Sequence, residues 1–389
     1  MFPDLSYILH HLFGTMPDNG ASVVKTFGLF LALAFLGSAL FLHLEYIRKE
    51  KEGVLKPSVE TVLIGEGAKP LEVLFNAFIG FLLGFKLVHI FLNFAAFKAN
   101  APGVVFSGQG NWIAGILAFL GFGAWYYYAA NREKLETPIQ KEVLVYPHER
   151  IGDITVVAAI SGLIGARLFS VLENLKDFFA DPLGQLFSGS GLTMYGGLIL
   201  AYFVVYWYVR KKGIPPIHMM DAVAPALVVG YGVGRLGCHF SGDGDWGIPS
   251  TDPKPAWMGW LPDWLWSFDY AHNVNNEGQP LADCVYQYCS HLVPGVYPTP
   301  LYESFACLLT LGILWLLRKR LTIPGMLFCV YLVLNGVERL WIEKIRVNPH
   351  YDLGGMNLSQ AQYIAIGLIV AGIAGGLFLW LRKRKKIAV

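Results

Sequence analysis

The chain has 389 residues, 54% hydrophobic and 15% charged, with a mean hydropathy of +0.47. Soluble domains carry about 25% charged residues, so this composition excludes a soluble globular enzyme, a disordered chain and a disulfide-stapled secreted domain. The balance of 30 Lys and Arg against 28 Asp and Glu, net +2, argues against a nucleic-acid partner.

Residues 1–23 lack the basic start and small-residue cleavage pattern of a signal peptide. Phe2, Tyr7, Ile8, Leu9, Leu12 and Phe13 predict a short amphipathic segment lying on the outer membrane surface. Beyond it the apolar residues fall in blocks of roughly 20, the length that crosses a bilayer core. Nine spans are expected, near 24–43, 71–93, 111–130, 152–173, 192–209, 219–238, 301–317, 324–342 and 360–381. A backbone in lipid must satisfy its own hydrogen bonds, so all nine should be helices. The expected fold is therefore all-α, a polytopic transmembrane bundle forming one integral membrane domain over residues 1–389.

Basic residues gather after alternate blocks: Arg48, Lys49 and Lys51; Arg132 and Lys134; Arg210 to Lys212; Arg318 to Arg320; Arg382 to Lys386. Basic loops stay inside, which puts the N-terminus outside and the C-terminus in the cytoplasm. Residues 54–70 and 131–150 then read as cytoplasmic linkers. The segment 240–300 lies outside, since Lys254 is its one Lys or Arg among many carboxylates. Its Trp246, Trp257, Trp260, Trp264 and Trp266 predict a loop region along the membrane interface. Cys284 and Cys289 share that segment, and whether they form a disulfide depends on the compartment. Cys307 and Cys329 sit in apolar runs as small hydrophobes, and no Cys/His spacing suggests a metal site.

Gly232-Val233-Gly234-Arg235-Leu236-Gly237 matches G-x-G-x-x-G literally, but an apolar helix precedes it where a dinucleotide fold needs a strand. These glycines are better read as letting helices or a lipid headgroup approach the backbone. More telling are charges within spans, which cost about 2.5–3.5 kcal/mol at a helix centre and usually face a polar cavity. These are Lys86, Arg167, Glu173, Asp221, Arg235, Arg339, Glu343 and Arg346. Lys86 can snorkel, and Asp221 suits a helix start. Arg339, Glu343 and Arg346 share one helix face, either as an ion-pair ladder or as part of a site. Converging arginines near the outer leaflet suit bidentate binding of a phosphate. The loop after Arg235 adds Cys238, His239, Asp243 and Asp245; its two carboxylates and imidazole read as acid/base groups, or the segment as an Asp/Gly turn closing the helix.

In chain order the residues include Phe27-Gly28-Leu29, Gly165-Ala166-Arg167, Tyr195-Gly196-Gly197-Leu198, Asp221 through Pro225, and Gly234-Arg235-Leu236-Gly237 with its acidic glycine loop. Pro298 through Glu303, Arg339 with Glu343 and Arg346, and Leu358-Ser359-Gln360-Ala361-Gln362 complete the set. This succession resembles the bacterial phosphatidylglycerol:prolipoprotein diacylglyceryl transferase family, over residues 26–53 and most of 151–381. The resemblance implies transfer of a diacylglyceryl group from phosphatidylglycerol to the lipobox cysteine of a prolipoprotein signal peptide, in the bacterial inner membrane, at a site open to the outer leaflet. It implies no cofactor and no metal.

By the same resemblance, Arg235 contacts the donor phosphate, Arg339 is a second essential arginine and Glu343 its partner. Asp243 stands where the family signature has a glutamate, and Gly247 is its closing glycine. Arg167, Gly196, Gly197 and Gly247 join Arg235 and Arg339 in the expected phosphate site, with Tyr195 and His239 as candidate catalytic groups. Several positions depart from the pattern. Tyr195 replaces a family histidine, Phe27 a tyrosine, Cys238 an asparagine and Pro300 a glutamine. The signature loop carries one extra residue, and residues 54–150 insert two additional spans. A same-fold transferase with another acceptor and a transporter are the alternative readings, and the absence of internal repeats weighs against the transporter.

Overall fold

The computed structural model describes residues 1–99, 104–105, 107–132, 134–182, 193–353 and 356–387. A short helix α1 (Leu5–Phe13) precedes nine long ones: α2 (Thr26–Lys51), α3 (Pro70–Leu92), α4 (Trp112–Arg132), α5 (Ile151–Glu173), α6 (Met194–Lys211), α7 (Pro216–Ser241), α8 (Thr299–Leu317), α9 (Met326–Ile342) and α10 (Gln360–Ile387). Each expected span coincides with one of these helices. Seven of them, α2 to α5, α7, α8 and α10, are long and apolar enough to cross a membrane. The other two, α6 and α9, have 18 and 17 residues. Side chains such as Leu71, Phe91 and Leu309 are more than 70% exposed. An apolar surface of that kind is stable only where lipid is the solvent.

The chain divides into two compact units. One comprises Met1–Leu55 and Ile214–Val389, the other Lys56–Gly213. In the first, α7 is the central element, and its glycines explain why. A Cβ on Gly237 would lie 2.7 Å from Phe30 of α2, and one on Gly232 would lie 2.9 Å from Cys307 of α8. Gly232 and Gly237 of the G-x-G-x-x-G string are thus helix-packing positions, whereas a Cβ on Gly234 would meet nothing within 4 Å. Ser38 donates to the Ala226 carbonyl at 2.9 Å and Ser304 to the Gly232 carbonyl at 3.0 Å, tying α2 and α8 to the same helix. Ala224, Val228, Cys307, Leu314 and Leu327 form the core between α7, α8 and α9. Asp221, 5% exposed, accepts from the backbone N–H of Gly325 (2.7 Å) and Phe328 (3.1 Å). It therefore caps the start of α9, a structural role across helices rather than at its own helix end.

In the second unit, α3 and α4 meet through small residues. A Cβ on Gly84 would approach the Ala114 carbonyl to 2.4 Å, and one on Gly80 would lie 2.6 Å from Phe122. Lys86 does not snorkel freely. Its ammonium donates to the carbonyls of Val104 (3.2 Å), Ser107 and Gln109 (2.9 Å), which precede α4 in the chain. The expected linkers are more ordered than the sequence suggested. Within them β1 (Ser58–Ile64) pairs antiparallel with β2 (Ile139–Val145), from Ser58 opposite Val145 to Ile64 opposite Ile139. Val59, Thr61, Val62, Val143 and Val145 supply the β-branched side chains that favour this ladder. Glu60 anchors it to Arg150 (2.8 Å) and Lys212 (2.9 Å).

Among the described residues, 242–298 hold turns, two short 3-10 helices (Ala256–Met258 and Asp263–Leu265), isolated bridges and the two-residue ladder of β3 (Gln279–Pro280) with β4 (Ser290–His291). Trp257 and Trp260 are 74% and 79% exposed, as expected for an interfacial loop. Trp246 is not, and this corrects the sequence reading: it is buried against Tyr270 and Val296. Cys284 and Cys289 are joined as a disulfide. A last hairpin, β5 (His350–Leu353) with β6 (Met356–Ser359), leads into α10.

Candidate active site

Charged side chains converge at one end of the first unit. Four pieces of chain supply them: the last turns of α7, the glycine loop after it, the first turns of α8, and the end of α9 with the residues that follow. Glu303, in the second turn of α8, is completely buried and sits at the middle. One of its oxygens accepts from Tyr231 (3.0 Å) and Arg339 (3.0 Å), and the other pairs with Nε of Arg235 (3.0 Å). Arg346 reaches both oxygens at 3.4 Å. A single carboxylate thus orients three guanidiniums.

Asp245 holds the outer side. Its two oxygens each engage a different arginine, Arg235 and Arg346. Burial raises the Asp245 carboxyl, but these two cations outweigh burial and hold it below the usual carboxylate range. Glu343 completes the array, pairing with Arg339 at 3.0 Å while accepting from Asn348 (2.7 Å) and Ser359 (2.5 Å). The planar forks of the arginines match such multi-carboxylate geometry in a way that lysines would not. Arg235 also lies 5.3 Å from the Tyr231 ring centroid, a cation–π contact on its inner face.

Local backbone explains the placement. Gly242 ends α7 in the left-handed region (φ 65°), which turns the chain back over the helix end. Gly247 pairs as an isolated bridge with Arg346, and the N–H of Ile248 donates to the Ile345 carbonyl at 2.8 Å. A Cβ on Gly247 would lie 2.6 Å from that carbonyl, so only glycine allows the loop to approach and fix Arg346. The closing glycine therefore acts on the arginine's backbone.

The other expected residues separate into groups. Asp243 lies beside Asp245 and accepts its backbone N–H at 3.2 Å; burial, then the neighbouring Asp245 carboxylate, push its carboxyl above the ordinary range. Cys238 is buried with its sulfur 4.0 Å from Arg235. His239 is held apart in an aromatic pocket, 3.0 Å from the Tyr270 hydroxyl and packed on Phe240 and Phe268. Burial and then Asp243 raise the Tyr270 phenol. Donor atoms of Cys238, Asp243 and Asp245 lie within 4.8 Å of one another, a spacing that would admit a cation. Asp245 is already committed to two guanidiniums, whose charge opposes one.

Arg167, Tyr195, Gly196 and Gly197 belong to the second unit. Gly196 and Gly197 lie on the α5–α6 seam, where a Cβ on Gly196 would be 2.7 Å from the Gly165 carbonyl and one on Gly197 2.8 Å from that of Gly162. Arg167 is half-buried on α5. Tyr195 lies in the first turn of α6, and its side chain is outside the described residues.

Sequence reasoning missed Glu303 as a site residue, although its motif was in view. The signal was present: a carboxylate two turns into an apolar helix is as costly as the arginines that drew attention. Glu338, next to Arg339, was also overlooked. Both its oxygens are buried, and among the described residues no hydrogen-bond donor reaches them.

A family model described as prolipoprotein diacylglyceryl transferase matches residues 111–378, more than half of the chain. Curated relatives carry the name phosphatidylglycerol--prolipoprotein diacylglyceryl transferase. That of Shouchella clausii is 29% identical over 274 residues, covering 70% of this chain and 86% of the relative. That of Finegoldia magna is 27% identical over 262 residues (67% and 87%), and that of Corynebacterium glutamicum 28% over 242 (61% and 71%). The matched region contains every member of the arginine–carboxylate array, from Arg235 to Ser359, and on that extent of match this chain belongs to the prolipoprotein diacylglyceryl transferase family.

Proposed function

We propose that this protein transfers the diacylglyceryl group of phosphatidylglycerol to the lipobox cysteine of prolipoproteins, in the inner membrane of a bacterium, with its site facing the outer leaflet. The observation that carries the chemistry is the trio Arg235, Arg339 and Arg346 gathered on Glu303. The thiol sulfur attacks the glyceryl carbon bonded to the phosphate oxygen. A C–S bond forms as the C–O bond breaks, and the electron pair leaves on glycerol phosphate. The thiol proton passes to a base. Arginines held before the substrate arrives stabilise the charge that builds on the departing phosphate, at no cost of reorganisation.

Asp245 occupies a phosphate-like position, one oxygen to each of two guanidiniums. The incoming phosphate takes its place, and the side chain, 35% exposed, has room to move outward. A free thiol with a pKa near 8.5 is mostly protonated at neutral pH. Asp243 is the base this reading assigns, because its raised carboxyl retains more proton affinity than an ordinary aspartate. Tyr195 stands at the family histidine's motif position and, from the sequence alone, is assigned a hydrogen bond to phosphate. Undiminished turnover in Tyr195→Phe would remove that role.

The test is mass spectrometry of a lipobox peptide incubated with purified protein and phosphatidylglycerol. A diacylglyceryl mass increase on the cysteine is expected, reduced at least about 10²-fold in Arg235→Ala, the scale for losing one preorganised donor. Consumption of phosphatidylglycerol with an unmodified peptide would point instead to another acceptor.

A further inference from the structure

At the end of the first unit opposite the arginine cluster, α9 and α10 enclose a groove that the transfer reaction does not use. The two helices touch where Gly372 leaves no room for a side chain: a Cβ there would lie 2.7 Å from the Cys329 carbonyl. Beside this seam runs an apolar groove of about 400 Å³, lined by Met326, Cys329, Val333, Ile373, Gly376 and Trp380 among others. A second cavity, of about 350 Å³, shares Trp380 with it and is lined by Arg320, Thr322, Lys383 and Arg384. The Trp380 side chain lines both, so the basic cavity adjoins the apolar groove as its mouth.

The mouth is built from two elements. Arg320 comes from the turn before α9, and Lys383 and Arg384 from the last turns of α10. The Arg384 guanidinium lies 3.8 Å from the Trp380 ring centroid, and Lys383 donates to the Thr322 hydroxyl at 3.2 Å. Among the described residues no Asp or Glu lines either cavity. Basic residues at the inner ends of membrane helices are ordinary, but here they frame the opening of a lipid-facing groove. The distance along α9 from Met326 to Arg339 is about 20 Å at 1.5 Å per residue. A ligand here is therefore remote from the arginine cluster, and at the inner side under the positive-inside rule.

We infer that the α9–α10 groove and its mouth bind an anionic glycerophospholipid of the inner leaflet, one acyl chain lying along the seam and the phosphate held by Arg320, Lys383 and Arg384. An amphiphile with a negative head and a hydrocarbon tail complements both halves of the site. This binding is separate from the transfer reaction and does not depend on its assignment.

Cys329 lines the groove and reports on it, while Cys238 and Cys307 are buried elsewhere. In detergent-solubilised full-length protein, the rate of Cys329 alkylation by N-ethylmaleimide is followed by peptide mass spectrometry. Dioleoyl phosphatidate should slow it at least tenfold, whereas dioleoyl phosphatidylcholine and inorganic phosphate should not. The triple variant Arg320→Gln, Lys383→Gln, Arg384→Gln should abolish protection, with turnover of the lipobox peptide within twofold of the parent. A control removing three exposed charges at the same end, Lys51→Gln, Lys319→Gln, Arg382→Gln, should retain protection. Equal protection by phosphatidylcholine, protection surviving in the triple variant, loss in the control, or no protection by phosphatidate would each overturn the proposal. Displacement by inorganic phosphate alone would show a free-anion site and overturn the lipid assignment.

Discussion

Glu303 decides how the site behaves, because it is the one carboxylate shared by Arg235, Arg339 and Arg346. Removing its charge leaves three guanidiniums facing one another in a buried place, and breaking a buried pair from one side typically costs about 3–5 kcal/mol. Glu303→Gln should therefore lower both thermal stability in detergent and turnover, and Asp should not restore them because it is one methylene too short. A variant that keeps the parent's melting temperature and rate would show that Asp245 and Glu343 suffice. Asp243 gives a separate prediction. If it accepts the thiol proton it must be ionised, so activity is lost as pH falls through its raised pKa, and Asp243→Asn should abolish that acid limb along with most turnover. A limb that persists in the variant would assign it to another group. The arginines were legible in the sequence because an ionised side chain in an apolar block is conspicuous. The choice between Asp243 and Asp245 was not: the loop carries an extra residue, and only the fold shows that Asp245 is the one that reaches Arg235 and Arg346.

Among elements, the helices were the most readable feature, since each expected span lies on an observed helix with shifts of a few residues. Asp221 shows where such reading stops. Its position near the start of α7 suggested a charge placed for that helix's own dipole, yet it caps α9, more than 100 residues away in sequence. No periodicity carries that information. Losing a side-chain cap costs about 0.5–2 kcal/mol, so Asp221→Ala should lower the thermal midpoint while leaving turnover per folded molecule near the parent value. A large drop in turnover at unchanged stability would instead mark Asp221 as part of the chemistry. The β1–β2 ladder was equally hidden, because its two strands are separated by a pair of helices and neither alone differs much from a linker.

At the scale of the whole molecule, hydropathy and the distribution of basic residues carried the class, and the first unit gathers the site at one end and a basic-mouthed groove at the other. What no composition reveals is the charge balance of the site itself. Arg235, Arg339 and Arg346 are matched by Asp245, Glu303 and Glu343 in direct ion pairs. That set has no net charge with which to draw an anion from a distance. On the proposed reading its donor arrives by lateral diffusion in the membrane and displaces Asp245 on contact, a process that ionic screening barely touches. Turnover with phosphatidylglycerol held at fixed surface density should therefore stay nearly flat between 0.05 and 0.5 M salt, spanning roughly a threefold change in Debye length. A steep fall with salt would reveal long-range attraction after all. On the proposed reading the array works as an exchange lock, opened by a phosphate that can replace the Asp245 carboxylate between Arg235 and Arg346.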